Sequence, residues 1–383
     1  MRRTARTAAL VAILCAALAP ACGPRRPATR LGPAPEGEVV RLDPVHVTAT
    51  KDGERVSLDA YDARELFARA SAALRAESYA EATRLYAALL AEFPESELAE
   101  PALYNQGLCY DALGKFAEAA TAYGAVVERF PESADVADAL FRLAGSYEAL
   151  QSWDDAVGAL DALLARPALS GIERVEVLAR KGAALIQIGR PEDARVALEE
   201  AVRLYRQGLG VSPSDSVFYT SMAQFKLGEI VHNEMRAIEL PPDEKLLEER
   251  LEAKAKLLLE AQRLYTKVIR IGHAHWAAAA AYRIGALYHH LWKDILDAPP
   301  PPELDAEARG IYFGILRERI RVLLRKAVLQ WERTLKLARR LNLDNEWIDS
   351  TTRDLAEIRR ELEIEESAAE KDDADLDAPD SGE

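Results

Sequence analysis

The tetrapeptide Phe-Pro-Glu-Ser occurs at residues 93–96 and again at 130–133, and the two copies mark one self-overlay at an offset of 37 residues. At that offset Leu103 falls over Leu140, Gly107 over Ala144, Tyr110 over Tyr147 and Ala119 over Ala156. Such a period constrains a chain strongly. Each copy must be one supersecondary unit that buries its apolar face against its neighbours. Apolar residues recur at i, i+3 and i+4 almost continuously from residue 60 to 366, and period-two alternation is nearly absent. The unit is therefore helical. The chain is 49% hydrophobic with only 8 Phe and 5 Trp, so its core must be built largely from Ala and Leu, as in packed helices.

Within one copy the spacing is Gly107, Tyr110, Ala119, Tyr123 and Pro131, with Gly114 between the helices. Small residues at 107 and 119 allow two helices to cross closely, and the tyrosines fill the gaps beside them. Pro131 ends the second helix because it cannot donate within one. This pattern resembles the tetratricopeptide repeat (TPR). The resemblance implies an all-α, right-handed superhelical solenoid of about six helical hairpins, the last two elongated. A first unit carries Ala70, Ala82, Tyr86 and Pro94; a third carries Ala144, Tyr147, Ala156 and Leu160; a fourth carries Gly182, Leu185, Gly189, Ala194 and Leu198. In the stretched units Gly228 is matched with Ala261 and Tyr265, and Gly285 with Ala327 and Trp331, across the loop Pro299–Pro302. The amphipathic segment 347–364 is expected to cap the last apolar face.

The resemblance also implies that the first helix of each hairpin lines a concave groove. One repeat position of that helix holds Phe67, Tyr104, Phe141, Ala179, Phe225 and Tyr282, five aromatics in six. Two readings stand for Phe67, Tyr104, Phe141, Phe225 and Tyr282. They form either a partner-binding ladder for an apolar or aromatic-rich peptide, or core packing against adjacent helices. Asp111, just past Tyr110, is expected on the open side, where its replacement should cost little. Asn105 matches one element of the carboxylate clamp of chaperone-binding repeats. The accompanying lysines are missing, so no clamp is inferred.

The N-terminal segment has a different character. Arg2, Arg3 and Arg6 precede an apolar run, 8–18, and then the small residues Ala19-Pro20-Ala21, as in an export signal over 1–21. Cys22 follows directly. Ala-Pro-Ala-Cys resembles a bacterial lipobox, which implies lipidation of Cys22. Gly23 in place of Asp implies the outer membrane, periplasmic face; an ordinary signal peptidase site, giving a soluble periplasmic protein, is the alternative. Loss of Arg2, Arg3 and Arg6 takes the formal net charge from −14 to −17. That charge disfavours nucleic acid, and it leaves the lipid as the only membrane contact. Cys109 then stands without a disulfide partner and is expected to pack as a small hydrophobe.

The remaining segments are a tether, 22–60, and an acidic tail, 367–383, expected to be disordered. The tether contains a β-prone patch, 39–58, which is either a hairpin, a strand awaiting a sheet edge, or an ordered clip onto the first repeat. The repeats divide into 61–210 and the elongated hairpins with their cap, 211–366. No catalytic motif is found, so no enzymatic activity is expected. The His273, His275, His289 and His290 cluster lacks ligand spacing, so neither metal nor cofactor is expected, and these histidines are read as surface or groove residues. The chain is read as a protein–protein interaction scaffold for envelope proteins or their peptide segments. Its layout is similar to gliding-motility TPR lipoproteins. Its repeats also resemble those of the outer-membrane β-barrel assembly lipoprotein and the Tol-Pal coordinator, and a periplasmic hydrolase with a TPR appendage is the remaining alternative.

Overall fold

The structure is a computed structural model that describes residues 45–52, 55–167, 169–208 and 213–376. The export signal, Cys22, most of the tether, including the 39–42 part of the β-prone patch, and residues 377–383 lie outside the described residues. An antiparallel ribbon comes first: β1 (His46–Asp52) and β2 (Arg55–Tyr61) pair from His46 opposite Tyr61 to Asp52 opposite Arg55. Within the described residues the β-prone patch is thus a paired two-stranded ribbon. It is clipped to the first helix pair by Tyr61, whose hydroxyl donates to Glu92 Oε1 at 2.9 Å.

Helices joined by turns make up the remaining described residues, and the fold class is the expected all-α array of TPR-like hairpins. The helices are α1 (Ala63–Arg75), α2 (Tyr79–Glu92), α3 (Ala99–Ala112), α4 (Phe116–Arg129), α5 (Val136–Ala149), α6 (Trp153–Leu164), α7 (Gly171–Gln187), α8 (Pro191–Arg206), α9 (Pro213–Ala237), α10 (Glu244–Ile271), α11 (Ala274–Leu296), α12 (Ala306–Leu341) and α13 (Glu346–Leu376). They fall into two compact units that divide between Ala159 and Leu160, inside α6.

In the first unit α1 packs on α2, α3 on α4, and α4 on α5. The turn inside each hairpin needs one left-handed residue. Glu77 (φ 58°), Gly114 (φ 70°) and Gln151 (φ 58°) supply it at the same repeat position. Glycine adopts that conformation without a Cβ penalty, so Gly114 is the unstrained copy of a turn that the other two hold under strain. The serines of the repeated tetrapeptide close the turns between hairpins: Ser96 Oγ accepts from the Leu98 amide at 3.3 Å, and Ser133 Oγ from the Asp135 amide at 3.0 Å. Cys109 is fully buried, and burial pushes its thiol up to about 11. It is protonated and inert at neutral pH.

In the second unit α7 packs on α8, α9 on α10, and α11 on α12, with α13 covering α11 and α12. Ser170 and Glu173 form a capping box at the start of α7. Asp243 and Asp305 accept from the third-residue amides of α10 and α12, which satisfies donors that a helix start leaves open.

The elongated pairs obey the rule of the short ones. In each, a glycine of the first helix lies under a large side chain of the second. A methyl group at Gly107 would stand 2.5 Å from the Tyr123 ring, one at Gly182 2.5 Å from Leu198, and one at Gly228 2.6 Å from Tyr265; one at Gly285 would enter the Trp331 indole. The acidic tail departs from its expected disorder: α13 continues through Ser367 to Leu376. Ala368, Ala369, Glu370 and Lys371 are good helix formers, and propagating a helix that already exists avoids the cost of nucleation.

Candidate partner-binding surface

The A-helix aromatics do not form an exposed ladder. Phe67 is 5% exposed, Tyr104 7% and Phe225 1%. Each sits against the large residue of its own second helix. Phe67 meets the Tyr86 ring at 5.8 Å, Tyr104 meets Tyr123 at 5.7 Å and Phe225 meets Tyr265 at 5.5 Å, while Tyr282 stacks on Trp331 at 5.9 Å. The shared position therefore follows from hairpin packing: every ring in the second helix takes a ring in the first as its partner. For Phe67, Tyr104 and Phe225 the core reading holds and the groove reading is corrected, because a buried ring presents no surface to a partner. Phe141 and Tyr282 remain half-buried. The second helix of the Phe141 unit carries Leu160 in place of a ring, so Phe141 has no such stacking partner to cover it.

What surrounds these rings is a polar network on the first helices. In the first unit Asp111 Oδ2 accepts from the Tyr123 hydroxyl at 2.8 Å, and Oδ1 accepts from Ser146 Oγ at 3.3 Å. Burial raises the Asp111 carboxyl above its ordinary value. The expectation that Asp111 is dispensable is therefore overturned. Tyr123 is fully buried, and Asp111→Leu removes the acceptor of its hydroxyl. The expected loss is about 1–3 kcal/mol, read as a fall in the denaturant midpoint. A change within about 0.5 kcal/mol would mean that the Tyr123 hydroxyl finds another acceptor.

In the second unit Glu229 holds two elements together. Its carboxylate accepts from the Tyr265 hydroxyl at 2.9 Å and pairs with Arg283 at 2.8 Å. The Arg283 guanidinium lies over the Tyr282 and Trp347 rings, 5.7 and 5.6 Å from their centroids. The Tyr282 hydroxyl donates to Asp354 at 2.6 Å. Beside this cluster His232 Nε2 lies 2.9 Å from His290 Nδ1. Residues 58 apart in sequence thus share a proton position. One ring must donate and the other accept, so the bond requires at least one neutral imidazole. Reading His290 as a surface or groove residue missed this buried partner on α9.

Burial depresses both imidazoles, His232 to about 3 and His290 to about 4, with Arg283 and Arg236 acting in the same sense. A pKa lowered by folding means that the unfolded chain binds the protons more readily. The stabilisation is full above the ordinary imidazole value near pH 6.5 and is lost as pH falls through about 4. Histidine NMR titration should find both rings neutral at pH 5; an ordinary midpoint for either would contradict their burial. Among the described residues no three His, Cys, Asp or Glu side chains converge as metal ligands would.

Models of the tetratricopeptide repeat match residues 101–133, 138–167 and 175–207. No curated protein matches the chain. Similar solved structures include a tetratricopeptide repeat protein from Parabacteroides merdae, 14% identical, covering 77% of this chain and 98% of its own, with a TM-score of 0.37. The MamA protein is 20% identical over 63% of this chain and 96% of its own, TM-score 0.38. The C-terminal part of a TPR repeat-containing protein from Cytophaga hutchinsonii is 14% identical over 74% of this chain and 98% of its own, TM-score 0.38. Repeats of this kind generally mediate protein–protein interactions as non-enzymatic scaffolds, and this chain contains TPR repeats.

Proposed function

We propose that this chain is a lipid-anchored scaffold at the periplasmic face of an outer membrane, where it gathers envelope proteins into a complex of the gliding-motility type. The scaffold part is carried by the repeated hairpins. Their recurring close approaches, from Gly107 on Tyr123 to Gly285 under Trp331, devote the interior to stacking. The outer helix faces, with half-buried clusters such as Tyr282, Arg283 and Trp347, are left for partners. Arginine and aromatic side chains are the types enriched where binding energy concentrates. The anchor is supported by Cys22 standing directly after a small-residue cleavage site in an export signal.

The experiment is cross-linking in intact envelope, solubilisation and identification of captured proteins, run with the native chain and with Cys22→Ala. The native chain should incorporate labelled palmitate, partition with membranes after a high-salt wash and capture envelope proteins. Cys22→Ala should lose the label and leave the membrane fraction. Equal partition of both forms would remove the anchor; capture of barrel-assembly or Tol-Pal components would assign the complex to those systems.

A further inference from the structure

The second unit contains a cavity that lies apart from the polar network described above. It is a trough of about 410 Å³ bounded by α8, α9 and α10. Its floor is apolar, formed by Val202, Leu227 and Leu264, and its walls carry Arg195, Arg203, Arg206, Arg263 and Lys267 against only two carboxylates, Glu199 and Glu260. Such an excess of cations is unusual in a chain of net charge −14, where acidic residues were available to neutralise it.

The cations differ in how they are satisfied. Arg195 pairs with Glu234, Arg203 with Glu200 and Arg263 with Glu260. Arg206 and Lys267 form no ion pair among the described residues. Their charges interact: after burial, Arg263 and Arg206 lower the Lys267 pKa, and the Glu260 carboxylate opposes them. The same trough holds an unsatisfied donor. Gln224 lines the trough, is 2% exposed, and its Nε2 meets no acceptor. A buried amide donor without a partner is costly, and an acceptor entering the trough would satisfy it.

We propose that this trough is a docking site for an acidic peptide segment of a partner protein. Carboxylates of the segment pair with Arg206 and Lys267, a backbone carbonyl accepts from Gln224 Nε2, and apolar side chains lie on Val202, Leu227 and Leu264. An extended segment fits better than a small anion because the lining combines cations with the apolar Val202, Leu227 and Leu264, which a lone anion would leave uncovered. The proposal rests on the scaffold reading and names one surface that serves it.

The test uses the full chain and a fluorescein-labelled, C-terminally amidated peptide of alternating Glu and Leu, read by fluorescence anisotropy at low and physiological salt. Binding should weaken about tenfold or more in Arg206→Glu/Lys267→Glu, as expected for reversal of close charge pairs. The milder pair Arg206→Ala/Lys267→Gln should weaken it less. Both variants should keep the native far-UV circular dichroism, since Arg206 is exposed and Lys267 half-buried. A Gln-for-Glu peptide should not bind, and inorganic phosphate should not displace the acidic peptide. Lys336→Glu/Arg340→Glu, exposed on α12, should bind as the native chain does. No binding by the native chain overturns the proposal, as does equal weakening in the α12 variant or displacement by phosphate. In the envelope cross-linking experiment, capture unchanged by Arg206→Glu/Lys267→Glu would reject the trough and leave the scaffold standing. Failure of the native chain to capture anything would strike the scaffold reading, while the peptide titration still decides the trough.

Discussion

Trp331→Ala should destabilise the second unit by about 3–5 kcal/mol, the range for removing a large aromatic from a core. Trp331 is fully buried, and three separate relations depend on it. Its indole fills the space left by the missing side chain at Gly285. It stacks on Tyr282 at an interplanar angle of 11°. Its Nε1 donates to the Tyr282 carbonyl at 2.9 Å, so the ring ties α12 to α11 by packing and by a hydrogen bond. Trp331→Phe separates the contributions, since it keeps most of the volume and loses the donor; about 1 kcal/mol is expected for that bond. Urea denaturation followed by circular dichroism is the measurement. A loss below about 1 kcal/mol for Trp331→Ala would show that the α11–α12 crossing does not depend on this contact.

The second large effect belongs to Asp294. Lys254 is 1% exposed, and its ammonium donates to Asp294 Oδ2 at 2.7 Å and to the Met235 carbonyl at 2.9 Å. One cation thereby joins α9, α10 and α11. Asp294→Ala leaves that charge buried with a single neutral acceptor, and breaking a buried pair from one side costs about 3–5 kcal/mol. Because the Asp294 side chain is 29% exposed, water can approach the vacancy, and the lower end of the range is expected. Removing both charges should be far milder. Lys254→Met in the Asp294→Ala background removes the unpaired ammonium, and it should recover about 2 kcal/mol or more. A double variant no more stable than Asp294→Ala alone would mean that the loss comes from packing, with no part played by the stranded charge.

The elements that could be read from the chain are those whose cause is local or repeats. The small-to-large pairing of Gly107 with Tyr123 recurs in Gly228 with Tyr265 and in Gly285 with Trp331, although the stretch between the two residues is longer there. A close crossing needs those two residue types wherever it occurs. The turn at Gly114 and the helix-ending Pro131 have local causes of the same sort. Even the cap α13 was legible from its apolar stripe, except for where it ends.

Direction was decided by the tertiary structure. Helical periodicity places Phe67, Tyr104 and Phe225 on one stripe, but a helix packed between two neighbours buries a stripe wide enough to include positions that would face a groove on a lone hairpin. How far such a ring is covered depends on what packs around it, and Phe141 and Tyr282 stay half-buried where Phe67, Tyr104 and Phe225 do not. Asp111 looked like a solvated carboxylate until Tyr123 and Ser146 were brought to it. The His232–His290 bond and the facing of Arg206 with Lys267 join residues 58 and 61 positions apart, on helices whose separation in sequence reflects inserted length. No periodicity relates such residues. They meet because elongated helices, once packed, bring distant turns to the same height.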